Sequence, residues 1–425
     1  MPLAGSPDNV RHDNCFTAQR AVRTTFLNHL SPRPPARLAP AFKLMIHRLI
    51  AILFLGISAQ APAEPIQIEG LSAPVELSLP SNYEAGKSYP AVFFYHGTGG
   101  HPTTTMIRSQ AGPKDWIVVG MSYIKPGTFT FTPENVKAEV AMMHKVRDLL
   151  VKTKGLDPKR LYISGFSLGG WMADMMFQDD RSLAGAVILA AGHMYEVSEK
   201  PAAYRPDTPL FLGVGRLDGN YPFSLKAKLY YGKLGVTARM ETWDKQEHSF
   251  PQAGSPGLKE WFTLRNGGSA DETALEAENG EIGKLPPLDQ WRALLEFRER
   301  PFVNVPGSKW PDRIKARIAE LEKTPDVAPE AKAFLRHRQL IAEEINAKTL
   351  PDLAKVQKGY EALVPEAGNG EEVDLIVQDL KRVTGLVERF EQQKAEREAQ
   401  RPQPQPVEPN MPKSDRGIPR NPLIK

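Results

Sequence analysis

Three uninterrupted apolar runs, AVFFYH at 91–96, AVILAA at 186–191 and LFLGVG at 210–215, constrain this 425-residue chain more than any other feature. A strand that does not alternate apolar with polar residues is covered on both faces, as in a parallel sheet flanked by helices. Stretches of helical character separate these runs, and the alternation continues from Ile66 to about Asn266, the pattern of successive βα units. Eight strands are predicted: Ile66 to Ile68, Val75 to Leu79, Ala91 to Tyr95, Trp116 to Met121, Leu161 to Ser164, Ala186 to Ala190, Leu210 to Val214 and Ala238 to Trp243. Helices are predicted at Pro133 to Lys154, Leu168 to Gln178, Phe223 to Leu234 and Leu258 to Arg265. The expectation for residues 64–266 is an α/β unit around a mostly parallel eight-stranded sheet.

A chain of this length holds about two or three domains, and its character changes after Asn266. Residues 267–285 are polar and predicted as a linker, and residues 286–400 are charged, helix-prone and predicted as an all-helical module. Ile314, Ile318 and Leu321 mark one amphipathic helix, Phe334, Leu335, Ile341 and Ile345 another, and Pro351 interrupts. Val373, Ile376, Leu380, Val383, Val387 and Phe390 then form a heptad seam of under three repeats. Such a seam either packs on the earlier helices as a bundle or mediates self-association through the C-terminal helices. The tail, residues 401–425, is proline-rich and predicted to be disordered.

The other end of the chain carries a targeting signal. Residues 45–63 read as a signal peptide: Arg48, an apolar run from Leu49 to Ile57, and small residues for cleavage after Ala61 or Ala63. Nine apolar residues cover about 14 Å as a helix against roughly 30 Å of hydrocarbon, so stable membrane insertion is not expected. Met45 is then the expected start, and residues 1–44 a doubtful extension. The positive charge lies there: of a formal net charge of +4, residues 1–44 carry six basic against two acidic side chains. A product starting at Glu64 is slightly acidic, which leaves no basic footprint for nucleic acid. Cys15, the single cysteine, also falls in the extension. The mature chain therefore lacks disulfides, a thiolate nucleophile and thiolate-ligated zinc. The expected location is periplasmic or secreted.

Chemistry concentrates after the predicted strand Leu161 to Ser164. Gly165-Phe166-Ser167-Leu168-Gly169-Gly170 leads from it directly into a helix, the strand, sharp turn and helix of a nucleophile elbow. A plainer reading is a glycine-rich turn with a capping serine. A second glycine-rich element, His96-Gly97-Thr98-Gly99-Gly100, follows the strand AVFFY. Addition of Ser167 to a carbonyl builds negative charge on oxygen, and the backbone N–H groups of Thr98 and Leu168 are assigned to receive it. The base follows by elimination among nine histidines. His12, His29 and His47 precede the mature start, His96 and His101 belong to the oxyanion loop, His144 sits in a helix, His193 follows the sixth strand, and His337 lies in the helical region. His248, in a loop just after the last strand, has the position of a general base. Asp218, beyond the seventh strand, fits the carboxylate that fixes the imidazole tautomer. Asp207 stands at the wrong edge of the sheet, and Asp244 shares the strand end of the histidine.

The order Ser167, Asp218, His248 is that of the α/β-hydrolase fold. YHGTGG, GLDPKRLYISGFSLGGWMA, GVGRLDGN and QEHSF together resemble secreted α/β-hydrolase esterases of the polyhydroxybutyrate depolymerase and feruloyl esterase-like group, with dienelactone hydrolases more distant. The likeness spans about residues 66–265. It implies ester hydrolysis through a serine acyl-enzyme, with Ser167 as nucleophile, Asp218 as acid, His248 as base and Thr98 at the oxyanion loop. Dienelactone hydrolases carry cysteine where Ser167 stands, and the helical module has no counterpart in the part of the family that matches.

No HExxH metal spacing and no GxxxxGK[ST] phosphate loop occurs, and the chemistry requires neither cofactor nor metal. Met172, Met175, Met176 and Phe177 read as a core face. Trp171, Tyr221 and Trp243 read as packing or as lining of a substrate pocket. The expectation is an exported serine hydrolase acting on a small-molecule or polymer ester. A peptidase or acyltransferase with the same triad, and a cell-envelope binding protein with a vestigial hydrolase domain, are the alternatives.

Overall fold

The computed structural model of the chain describes residues 63–125, 131–194, 196–197, 203–367 and 371–399. The chain divides after Ala59 into two units, and all described residues lie in the second. The expected extension, the signal segment apart from Ala63, and the tail lie outside the described residues.

Eight strands form one sheet: β1 (Glu64–Ile66), β2 (Val75–Ser78), β3 (Tyr89–Tyr95), β4 (Ile117–Met121), β5 (Leu156–Phe166), β6 (Gly185–Leu189), β7 (Pro209–Gly215) and β8 (Thr237–Trp243). Their order is β1-β2-β4-β3-β5-β6-β7-β8. β2 runs antiparallel to both neighbours, and β3 to β8 are parallel. The chain has the α/β-hydrolase fold. Each predicted strand is present, with β1 two residues earlier than expected. The three apolar runs supply β3, β6 and β7, in which every residue is buried.

Five helices accompany the sheet: α1 (Thr105–Ala111), α2 (Pro133–Lys154), α3 (Leu168–Asp179), α4 (Tyr221–Lys233) and α5 (Pro256–Arg265). α2 has local signals at both ends: the Thr132 side chain accepts the Asn135 N–H, Pro133 opens the first turn, and Gly155 closes it at φ 67°. On one face of the sheet, Ile107 from α1 and Leu258, Trp261 and Phe262 from α5 pack on Val92, Phe94, Val118, Tyr162, Val187 and Phe211. α1 was not predicted, and its composition explains why. Its buried side chains include Arg108, which donates to the Ser78 hydroxyl and to the Ser78, Gly112 and Trp116 carbonyls. A helix buried through a satisfied guanidinium carries no apolar periodicity. Met172, Met175, Met176 and Phe177 of α3 are core.

The helical region begins inside the segment expected as a linker, so that boundary is corrected. α6 (Glu272–Ile282) starts at Asp271, whose side chain accepts the Ala274 N–H. It buries Leu275 and Ile282 with Trp291, Phe297 and Trp310. Two apolar anchors in a polar helix are a weak periodic signal, and the partner tryptophans lie far ahead in sequence. α7 (Pro287–Phe297), a short 3-10 turn (Phe302–Asn304), α8 (Trp310–Leu321), α9 (Ala328–Asn346), α10 (Leu350–Glu366) and α11 (Glu371–Ala399) follow. Ile314, Ile318, Leu321 and Ile341 are buried as expected, whereas Leu335 is 53% exposed and Leu340 is buried instead. The heptad seam packs within the chain: α11 lies against α9 and α10, with Ile376 and Val383 fully buried and Phe390 exposed. Among the described residues no helix is long and apolar enough to cross a membrane.

Candidate active site

β5 ends at Phe166 and α3 begins at Leu168, so a single residue makes the turn. Ser167 adopts φ 56° and ψ −117°, in the left-handed half of backbone space that a side chain rarely occupies. The conformation is held by hydrogen bonds from the Ser167 N–H to the Leu189 carbonyl (2.9 Å) and from the Trp171 N–H to the Ser167 carbonyl (3.0 Å). It also needs α3 pressed against β3, which the glycine at 169 permits: a Cβ there would fall on the Tyr95 carbonyl.

Ser167 Oγ lies 2.7 Å from His248 Nε2, and His248 Nδ1 lies 2.9 Å from Asp218 Oδ2. The arrangement is a Ser–His–Asp triad. Its members stand just beyond the carboxyl ends of β5, β8 and β7, where open α/β sheets present their sites. The Asp218 side chain is 2% exposed, and each oxygen has a donor, because Oδ1 accepts the Asn220 N–H at 2.9 Å. Asn220 in turn donates through Nδ2 to the Ala190 carbonyl at 2.8 Å. The acid turn is tied to the base turn by the Arg216 N–H on the Trp243 carbonyl and the Leu217 N–H on the Gln246 carbonyl, both 2.9 Å. His248, by contrast, is 43% exposed.

Leu168 is the first residue of α3, so its N–H has no intrahelical acceptor. The 96–100 loop comes close to the serine. A Cβ on Gly97 would lie 3.3 Å from the Ser167 Cβ, and Thr98 is the next residue. Two side chains that carry no sequence motif hold this loop and its neighbour. Tyr123 Oη donates to the His96 carbonyl at 2.7 Å, and its ring meets the His96 ring edge-on at 5.0 Å. Glu139 Oε1, buried on α2, accepts the Ile124 N–H at 2.8 Å. Burial pushes the Glu139 carboxyl up to about 7.

The other histidines are held elsewhere. Burial lowers the His96 imidazole, whose Nδ1 lies against the Gly97 carbonyl. His101 is exposed. His144 pairs with Asp180 at 2.6 Å, and His193 is buried 3.3 Å from Asp174. His337 bridges Glu372 and Asp379 between α9 and α11. His12, His29 and His47 lie outside the described residues. Asp207 precedes β7, at the opposite end of that strand from Asp218, and Asp244 lies 4.0 Å from Arg216. Trp171, Tyr221 and Trp243 are buried, and among the described residues none of their side chains hydrogen-bonds a triad member. Among the described residues no cluster of three or more His, Cys, Asp or Glu is placed to hold a metal ion.

No family model matches the chain, and no curated protein does. Solved structures similar to it include a carboxylesterase from Mesorhizobium loti, at 17% identity over 48% of this chain and 99% of that one, with a TM-score of 0.38. The Bacillus cereus carboxylesterase is similar at 17% identity over 45% and 93%, with a TM-score of 0.37. A ferulic acid esterase from Anaeromyces mucronatus is similar at 12% identity over 50% and 92%, with a TM-score of 0.36.

Proposed function

We propose that the chain is an exported serine hydrolase that cleaves carboxylic esters through an acyl-enzyme on Ser167. The observation that carries this reading is the pair of hydrogen bonds linking Ser167 Oγ, His248 and the buried Asp218 carboxylate. Export rests on the signal pattern of residues 45–63, with a periplasmic or secreted location following from it.

The chemistry is two acyl transfers. Ser167 Oγ adds to the ester carbonyl as His248 Nε2 takes its proton, and the resulting imidazolium is stabilised by Asp218 through Nδ1–H. The negative charge on the former carbonyl oxygen falls to the N–H groups of Leu168 and Thr98, with the N-terminal end of α3 adding its dipole. Collapse expels the alcohol with the proton held by His248, leaving acyl-Ser167. Water, deprotonated by His248, then attacks the acyl carbon, and the acid leaves as Ser167 regains its proton. No cofactor takes part.

Turnover of a short-chain chromogenic ester by Ser167→Ala, compared with wild type at equal folded content, tests the reading. Loss of turnover with an unchanged circular dichroism spectrum is expected, and unchanged turnover overturns it. Product analysis with competing amines and alcohols separates hydrolysis from acyl transfer, and peptide substrates separate it from proteolysis.

A further inference from the structure

β8 is an edge strand of the sheet, and beside it a cleft of about 670 Å³ opens between α4 and the helices α7 and α9. Its size is that of a small-molecule site, and it lies where two packed parts of the chain meet. No triad residue lines it. Its walls carry large apolar side chains, among them Leu229 and Leu335, which remain 48% and 53% exposed.

The charges around the cleft pair off. Lys228 meets Glu299 at 2.7 Å, Arg300 meets Glu278 at 2.8 Å, and Arg216 meets Glu296 at 3.5 Å. Arg338 of α9 forms no ion pair among the described residues, although its charge acts on the buried Glu372 carboxylate. Its guanidinium lies 5.0 Å from the Tyr221 ring centre and 4.7 Å from that of Phe334, and its Nη1 is buried without a hydrogen-bond partner. Tyr221, 5% exposed, also lines the cleft, and its hydroxyl is buried without a partner. A buried donor lacking an acceptor is destabilising. Two such donors beside one apolar cleft suit a ligand that supplies an acceptor to both.

We propose that this cleft binds a small apolar carboxylate, its carboxyl on Arg338 and Tyr221 and its hydrocarbon against Leu229 and Leu335. A carboxylate has two oxygens, one for the guanidinium and one for the phenol. A doubly charged phosphate fits worse, because Glu241, Glu278, Glu296 and Glu299 also line the cleft and the charge of Arg338 already acts on Glu372. The site is independent of the proposed ester hydrolysis, although it takes the class of compound that such a reaction releases.

Calorimetric titration of the full chain with octanoate, and with 1-octanol as neutral counterpart, tests the site. Saturable one-site binding of octanoate is expected, weakened at least tenfold by Arg338→Met and several-fold by Tyr221→Phe, with 1-octanol binding at least tenfold more weakly. Ester turnover of Arg338→Met is expected to match wild type. Tyr221→Phe removes a single oxygen, and so reports on the site even where Arg338→Met fails to fold. Absence of saturable octanoate binding, or binding unchanged in the variants, overturns the proposal. A chain without esterase activity that still binds octanoate through Arg338 leaves this site standing and removes only the hydrolase reading.

Discussion

The Asp218 carboxylate is held from both sides, by His248 Nδ1 and by the Asn220 N–H, and it is nearly excluded from water. An asparagine there keeps the size and can present an N–H to Nδ1, which forces the wrong imidazole tautomer. Asp218→Asn is therefore expected to lower kcat by about four orders of magnitude with KM little changed, in steady-state kinetics on the same ester. A drop below tenfold would detach Asp218 from the proposed cycle. At this scale the sequence was legible wherever chemistry forces residue type and spacing together. Glycines at 165 and 169 bracket a strained serine, and the acid and base follow at successive strand ends. Tyr123, Glu139 and Asn220 were not legible. They act by reaching carbonyl or N–H groups of the same or distant segments, and nothing in their own neighbourhoods distinguishes them from packing residues.

Between elements, polar contacts join the sheet domain to the helical region. Glu260 of α5 accepts from the Arg300 guanidinium and from the Phe302 N–H at 3.1 Å, and Arg300 reaches on to Glu278 of α6. Lys228 meets Glu299, and Gln378 Nε2 donates to the Leu217 carbonyl at 3.2 Å, beside the acid turn. Glu260→Ala leaves a largely buried guanidinium with only its Glu278 partner, so the loss is expected to lie below the roughly 3–5 kcal/mol of a buried charge left wholly unpaired and above about 1 kcal/mol. Denaturant unfolding is expected to show that loss, and a shift under about 1 kcal/mol, the size of an exposed pair, would mean the two parts are joined by other contacts. This kind of joint also explains why α1 and α6 escaped the sequence reading. Periodicity reports apolar burial, whereas α1 buries Arg108 through hydrogen bonds, and α6 has only two apolar anchors, whose partners lie on α7 and α8.

For the molecule as a whole, pH couples to stability through buried groups outside the triad. Burial raises the Glu139 carboxyl to about 7, so the folded state favours its protonated form. The stability linked to it is full below the ordinary carboxylate range near 4.5 and is lost as pH rises through about 7. Burial alone would lower the His337 imidazole, but its hydrogen bonds to Asp379 and Glu372 more than reverse this and raise it. Its contribution is likewise full below its ordinary value of 6.5 and falls as pH climbs past the raised one. Asp379 and Glu372 are the opposite case: burial raises them, but their charged partners win and hold them low, so their contribution fades in acid. Stability is therefore expected to peak on the acid side of neutrality. Glu139→Gln should recover about 3 kcal/mol above about pH 8 and flatten the profile between about pH 5 and 8 in thermal melts, since a shift from 4.5 to about 7 corresponds to that energy. A Glu139→Gln variant whose profile falls as steeply as that of wild type would contradict the assignment.

The central claim is that Ser167 is a nucleophile activated by His248. Intact-protein and peptide mass spectrometry after exposure to a fluorophosphonate measures it most directly. One adduct on the peptide holding Ser167, absent in Ser167→Ala and formed at least a hundredfold more slowly in His248→Ala, is the predicted result. A chain that stays unlabelled, or takes the label at another residue, contradicts the account.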